Sequence, residues 1–124
     1  MTVVDLEAGL EHLSRGTARH VDTLLLIAEP YFKSLEAAQR SFALATDLGI
    51  NRIYMVANKI RTPRDDETVR AFAERHAMHI AAAVPYDMAV VEADERGAAL
   101  IEHRPDAPSV AAIERLADRL LELA

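Results

Sequence analysis

Thr23-Leu24-Leu25-Leu26-Ile27-Ala28-Glu29-Pro30 decides the fold of this chain. Five apolar residues follow Thr23 without a polar break. A strand half-exposed to water would alternate, so an unbroken run predicts a strand covered on both faces, the habit of parallel sheets. Glu29-Pro30 then closes it, because proline has no N–H to give to a ladder.

Outward from this run the pattern alternates. Leu35, Ala38, Phe42 and Ala45 recur at helical spacing; Ser34 suits an N-cap, and Gly49 supplies the stop. Arg52 to Ala57 reads as the next strand. Thr62 followed by Pro63 resembles an N-cap and first helical residue, with Asp65, Asp66 and Glu67 matching the dipole of a helix that runs to about His76. Ile80 to Val84 predicts a further strand halted by Pro85, and Met88 to Glu95 a short helix stopping near Gly97. A terminal helix should turn Val110, Ile113, Leu116 and Leu120 inward. Toward the amino terminus, Glu7 to Arg19 carries Leu10 and Leu13 on one helical face, and Val3-Val4 ending in Asp5 reads as a short first strand. The expectation is one α/β domain over residues 1–124, three layers deep, with a mostly parallel sheet flanked by helices.

Composition narrows the function. The chain has 124 residues, about half of them hydrophobic, and a net charge of −6. Its basic residues are scattered among acids, which argues against nucleic acid as a partner. With no cysteine, disulfides and thiolate metal sites cannot come from these residues. No basic-then-apolar leader opens the sequence, and the apolar run from Leu24 to Ala28 is too short to cross a bilayer. The expected compartment is the cytoplasm, with no membrane partner.

Open α/β sheets bind ligands beyond the carboxyl ends of their strands. There the sequence sets Asp5, Glu29-Pro30, Asn58-Lys59 and Pro85-Tyr86-Asp87. Each alone reads equally as a turn former or cap; together they are candidate site residues. An asparagine amide offers both donor and acceptor, matching the edge of a purine, and a lysine stem can lie along a ring. Guanine readers carry an aspartate two residues beyond such a pair. Here that place holds Arg61, which favours adenine.

His76 and His79 straddle a helix end and a strand start, so solvent exposure is the expected reading. His20 and His103 lack an acidic or histidine partner at metal-like spacing, and no metal ligand set is expected. The glycines at 9, 16, 49 and 97 lie far apart, and no G-x-x-x-x-G-K-[ST] loop occurs within the 124 residues. These residues alone have no backbone cradle for a triphosphate.

The run Val3-Val4-Asp5-Leu6-Glu7-Ala8-Gly9-Leu10-Glu11-His12-Leu13-Ser14-Arg15-Gly16 resembles the switch II segment of CooC-type ATPases, the carbon monoxide dehydrogenase accessory proteins of the MinD/ParA/ArsA group. Asp47-Leu48-Gly49-Ile50, the Val56-Ala57-Asn58-Lys59 turn and Val84-Pro85-Tyr86-Asp87 fit as well. The resemblance covers essentially the whole chain but only the carboxyl-terminal half of such a protein. It implies a partial P-loop NTPase fold lacking the P-loop strand, with ATP or ADP and Mg²⁺ as the cofactors of the intact family. Asp5 would sit in the Mg²⁺ and switch II region. Asn58 and Lys59, with Pro85 and Asp87, would line the adenine pocket. The family role it implies is ATP-dependent dimerisation in nickel insertion into a metalloenzyme client. Expected partners are therefore a second copy or a chain carrying the P-loop half. The alternative is a non-enzymatic interaction module that binds no nucleotide.

Overall fold

The computed structural model describes residues 1–6 and 15–123. Its elements in chain order are α1 (Arg15–Ala18), β1 (Leu24–Ala28), α2 (Phe32–Asp47), β2 (Ile53–Ile60), α3 (Pro63–Arg75), β3 (His79–Pro85), α4 (Met88–Glu95), α5 (Leu100–His103) and α6 (Pro108–Leu123). Three parallel strands lie in the order β1-β2-β3, with Leu24 opposite Ile53 and Met55 opposite Ile80.

Alternate residues build the two faces. Leu24, Leu26 and Ala28 of β1, with Ile53, Met55 and Ala57 of β2, pack against Leu35, Ala38 and Ala45 of α2 and Val69, Phe72 and Ala73 of α3. On the opposite face Val56, Ala81 and Val84 pack against Ala112 and Leu116 of α6. The layers are helix, sheet, helix, and Met55 at their centre is fully buried.

Local chemistry ends the helices where the chain must turn back. After α2, Gly49 adopts φ +88°, so that Ile50 N–H bonds Ala45 C=O at 3.0 Å and Gly49 N–H bonds Thr46 C=O at 3.0 Å. This pairing satisfies two carbonyls that the helix end would otherwise leave orphaned. At the start of α3, Thr62 and Asp65 cap each other's backbone in a reciprocal box, with Pro63 leading the first turn.

Several expectations need correction. Val3-Val4-Asp5 forms no strand; residues 1–6 are exposed and unpaired. A strand of that length gains its hydrogen bonds only from a neighbour, and no described strand stands beside it. Ser34 does not cap α2, whose N-cap is Tyr31. Its hydroxyl instead accepts the Glu29 N–H at 2.8 Å, tying strand exit to helix start. The second strand runs past Ala57 to Ile60, and a four-residue helix, α5, stands between α4 and α6. On α6, Ile113 is 48% exposed, while Ser109, Ala112 and Leu116 face inward. The helix over Glu7–Arg19, with Leu10 and Leu13, and the switch-like run through His12 fall mainly outside the described residues; only Arg15–Ala18 is seen to be helical.

Candidate functional site

Because all three strands are parallel, their carboxyl ends open on one side. Their exits are Glu29-Pro30, the Asn58-to-Arg61 segment and Pro85-Tyr86-Asp87. The structure brings these three together. It does not bring Asp5, which is exposed and outside the sheet.

Asn58-Lys59 is not a turn after β2 but a bulge within it. Ala57 pairs with Ala83 and Ile60 with Pro85, so two residues of β2 stand against Val84 alone. The extra residue is accommodated at Lys59, which takes φ +57°. A side chain in that left-handed region costs about 1 kcal/mol. The Lys59 ammonium lies 3.1 Å from Glu29 Oε1, linking the exits of β1 and β2 across a half-exposed pair. Asn58 is half-buried. Among the described residues no hydrogen bond engages its side chain, and no buried polar side-chain atom is left unsatisfied.

The exits of β2 and β3 are joined twice. Tyr86 N–H donates to Ile60 C=O at 3.0 Å, and the Arg61 guanidinium lies over the Tyr86 ring with 3.9 Å from Cζ to the centroid. Arg61 N–H donates to Asp65 Oδ2 at 2.9 Å, fixing the backbone beneath that stack.

Asp87 has a structural duty. Oδ1 accepts the Ala89 N–H at 2.9 Å, capping α4, and Oδ2 accepts both the Ser109 N–H at 3.1 Å and its hydroxyl at 2.7 Å. One carboxylate thus closes the first turns of two helices, satisfying a Ser109 that is almost wholly buried. The Ser109 hydroxyl bond first, then the backbone donors of Ala89 and Ser109, hold this carboxyl below its ordinary range. His103 Nε2 lies 3.3 Å from Glu92 Oε2, an acidic partner in space that spacing along the chain does not reveal. His76 and His79 are exposed as expected.

Three kinds of group stand at this side of the sheet: the Asn58 amide, the Arg61 guanidinium over the Tyr86 ring, and the Pro85 ring. Two hollows, one lined by Ala81–Ala83, Arg115 and Arg119 and one by Arg70, Glu74 and His79, lie away from these exits. Among the described residues no three His, Asp or Glu side chains converge as a metal site, and no helix is long and apolar enough to cross a membrane. Sequence reading missed the Glu29–Lys59 pair and the Arg61–Tyr86 stack. Both join residues from different exits, and only the strand register brings them together. The Asp87 cap had a visible signal in its place just before Met88.

Among known proteins, the chain is similar to the carbon monoxide dehydrogenase accessory protein CooC of Rhodospirillum rubrum, 36% identical over 103 residues, 83% of this chain and 38% of that protein. It is also similar to an uncharacterized ATP-binding protein of Methanocaldococcus jannaschii, 31% identical over 123 residues, 99% of this chain and 47% of the other. The fold matches the cell division protein MinD of Aquifex aeolicus with TM-score 0.75 at 19% identity, covering 92% of this chain and 50% of that one. It matches a ParA family ATPase of Chlorobium tepidum with TM-score 0.72 at 22% identity, covering 94% and 48%. No family model matches the sequence. The chain spans half or less of the length of each of these relatives.

Proposed function

Because this chain is a CooC-type member of the MinD/ParA ATPase group, matching the carboxyl-terminal part of its relatives, we propose that it holds the adenine end of ATP or ADP. The observation that carries the reading is Asn58: a half-buried amide, free of protein partners among the described residues, presented on a bulge at the ligand-binding end of a parallel sheet. Its donor and acceptor suit the adenine edge. Lys59, held by Glu29, and Pro85 flank it. Asp87 contributes by fixing the third exit, since its oxygens are already engaged by Ala89 and Ser109.

ATP brings the phosphoryl group whose hydrolysis drives such switches. These 124 residues bind and orient the base, and the phosphate cradle comes from a P-loop half that they do not contain. Asp5 belongs in this reading to the Mg²⁺ and switch II region of the assembled protein. The relative's printed name gives a carbon monoxide dehydrogenase accessory protein; the wider role proposed here goes beyond that name, to a cytoplasmic, dimerising ATPase that serves nickel-centre maturation in a metalloenzyme client.

A second reading is favoured by the exposure of Lys59 and Arg61 at the site. Such a surface also suits a protein-interaction module that has given up nucleotide. Turnover and binding separate the two. The chain alone should show no Mg²⁺-dependent ATP hydrolysis above background, yet should bind adenine nucleotide weakly. Steady turnover by these residues alone would contradict the proposal, and complete silence toward nucleotide would favour the interaction module.

A further inference from the structure

The Arg61–Tyr86 stack has no evident structural need. Ile60 and Tyr86 already join the two exits through the backbone, and the capping box of Thr62 and Asp65 already anchors the start of α3. Arg61 is exposed and makes no ion pair among the described residues. Its guanidinium nonetheless lies over an aromatic ring, 3.9 Å from Cζ to the centroid. A guanidinium stacked on a ring at such a distance turns one face to the ring, directs its N–H donors sideways and leaves a planar cationic face outward. It stands three residues from Asn58, on the same exit.

We infer that Arg61 and Tyr86 form a stacking platform for the base, with the purine lying on the outward face of the guanidinium while Asn58 meets its edge. This rests on the adenine reading above and deepens it, making Arg61 and Tyr86 the source of stacking affinity. Every base has a π-face that a flat cation can hold, so the platform supplies affinity and Asn58 supplies choice of base. The arrangement also gives a role to a large polar side chain set over a ring at an otherwise solvated exit. Without a ligand, an exposed arginine gains little from being pinned, because a cation–π contact at the surface is weak and ordering the side chain opposes it.

The test uses adenosine, which carries no phosphate for Arg61 to attract by charge. Titrated into the isotopically labelled chain and followed by nuclear magnetic resonance, adenosine should bind in roughly the millimolar range. It should move the Asn58 amide and the Tyr86 ring protons. Arg61→Lys keeps the charge and loses the plane; at an exposed position it leaves the fold intact. It should weaken adenosine binding about fivefold or more, as should Tyr86→Leu, whereas Tyr86→Phe should bind within about twofold of the wild type. If Arg61→Lys and Tyr86→Leu bind as the wild type does while Asn58→Ala does not, the platform is wrong and the adenine reading stands. If the wild type shows no response, or all the variants including Asn58→Ala bind alike, both fall.

Discussion

The two edges of this sheet are finished differently. β3 carries an irregularity where Met55 pairs with Ile80 but Val56 with Ala82, leaving Ala81 unmatched. The Arg119 guanidinium donates to Ala81 C=O at 3.0 Å, and α6 covers the adjoining face. Bulges, nearby charge and a covering helix are the devices that keep an edge from recruiting another strand. β1 shares only the covering helix, α2 against one of its faces, and carries no bulge and no charged side chain. It is five residues of Leu, Ile and Ala, no described residue pairs with its outer side, and Ile27 on its second face is 58% exposed. One edge is bonded and covered by its own chain; along the other no described residue pairs.

The largest expected effect would break that comparison directly. If β1 is an unfinished edge, the chain by itself should self-associate without nucleotide, and light scattering should give about twice the 13.7 kDa of one chain, or more. Ile27→Lys should weaken association about tenfold or more by setting a charge on the uncovered face. A clean monomer across dilute and concentrated samples would show that β1 is as finished as β3.

Next in size is the carboxylate that ties the third exit to α6, on the finished side. Asp87→Ala removes an N-cap and leaves Ser109 buried without a partner, at a cost of about 2 kcal/mol in denaturant unfolding. The pH profile follows from the direction of its shift. A carboxyl held below its unfolded value contributes stability above roughly pH 4, and that contribution is lost as pH falls through the lower folded value. Asp87→Ala should therefore unfold with a flatter acid dependence than the wild type. An unchanged slope would mean that the cap contributes nothing.

Smaller still is the bulge beside the open edge. Lys59→Gly relieves the left-handed backbone at φ +57° and removes a half-exposed ion pair worth about 0–1 kcal/mol. The two terms oppose, so unfolding free energy should move by less than about 1 kcal/mol. A larger loss would show that the Glu29–Lys59 link helps hold β1 to β2.

How much of this was legible in the sequence follows from range along the chain. The strands at Leu24–Ala28 and His79–Pro85, the Gly49 stop and the Thr62 cap depend on neighbours within a few residues, and the sequence shows them plainly. The bulge does not, because it exists only where Ala57 and Ile60 meet Ala83 and Pro85. Val3-Val4-Asp5 has strand composition, yet a strand needs a partner, and composition cannot supply one. Ile113 has the spacing of a core residue but lies on the flank of α6, since the small Ser109 and Ala112 face inward. At the site, Asn58 could be found as a residue type at a strand end. The company it keeps, Arg61 on Tyr86 and Lys59 on Glu29, could not.

The most direct test of the account sets the two purines against each other at the open carboxyl end. Calorimetric competition between ADP and GDP on this chain should favour ADP, and Asn58→Ala should abolish the preference while Lys59→Ala largely keeps it. A GDP preference, or binding lost with Lys59→Ala but retained with Asn58→Ala, would contradict the assignment of this end of the sheet to adenine.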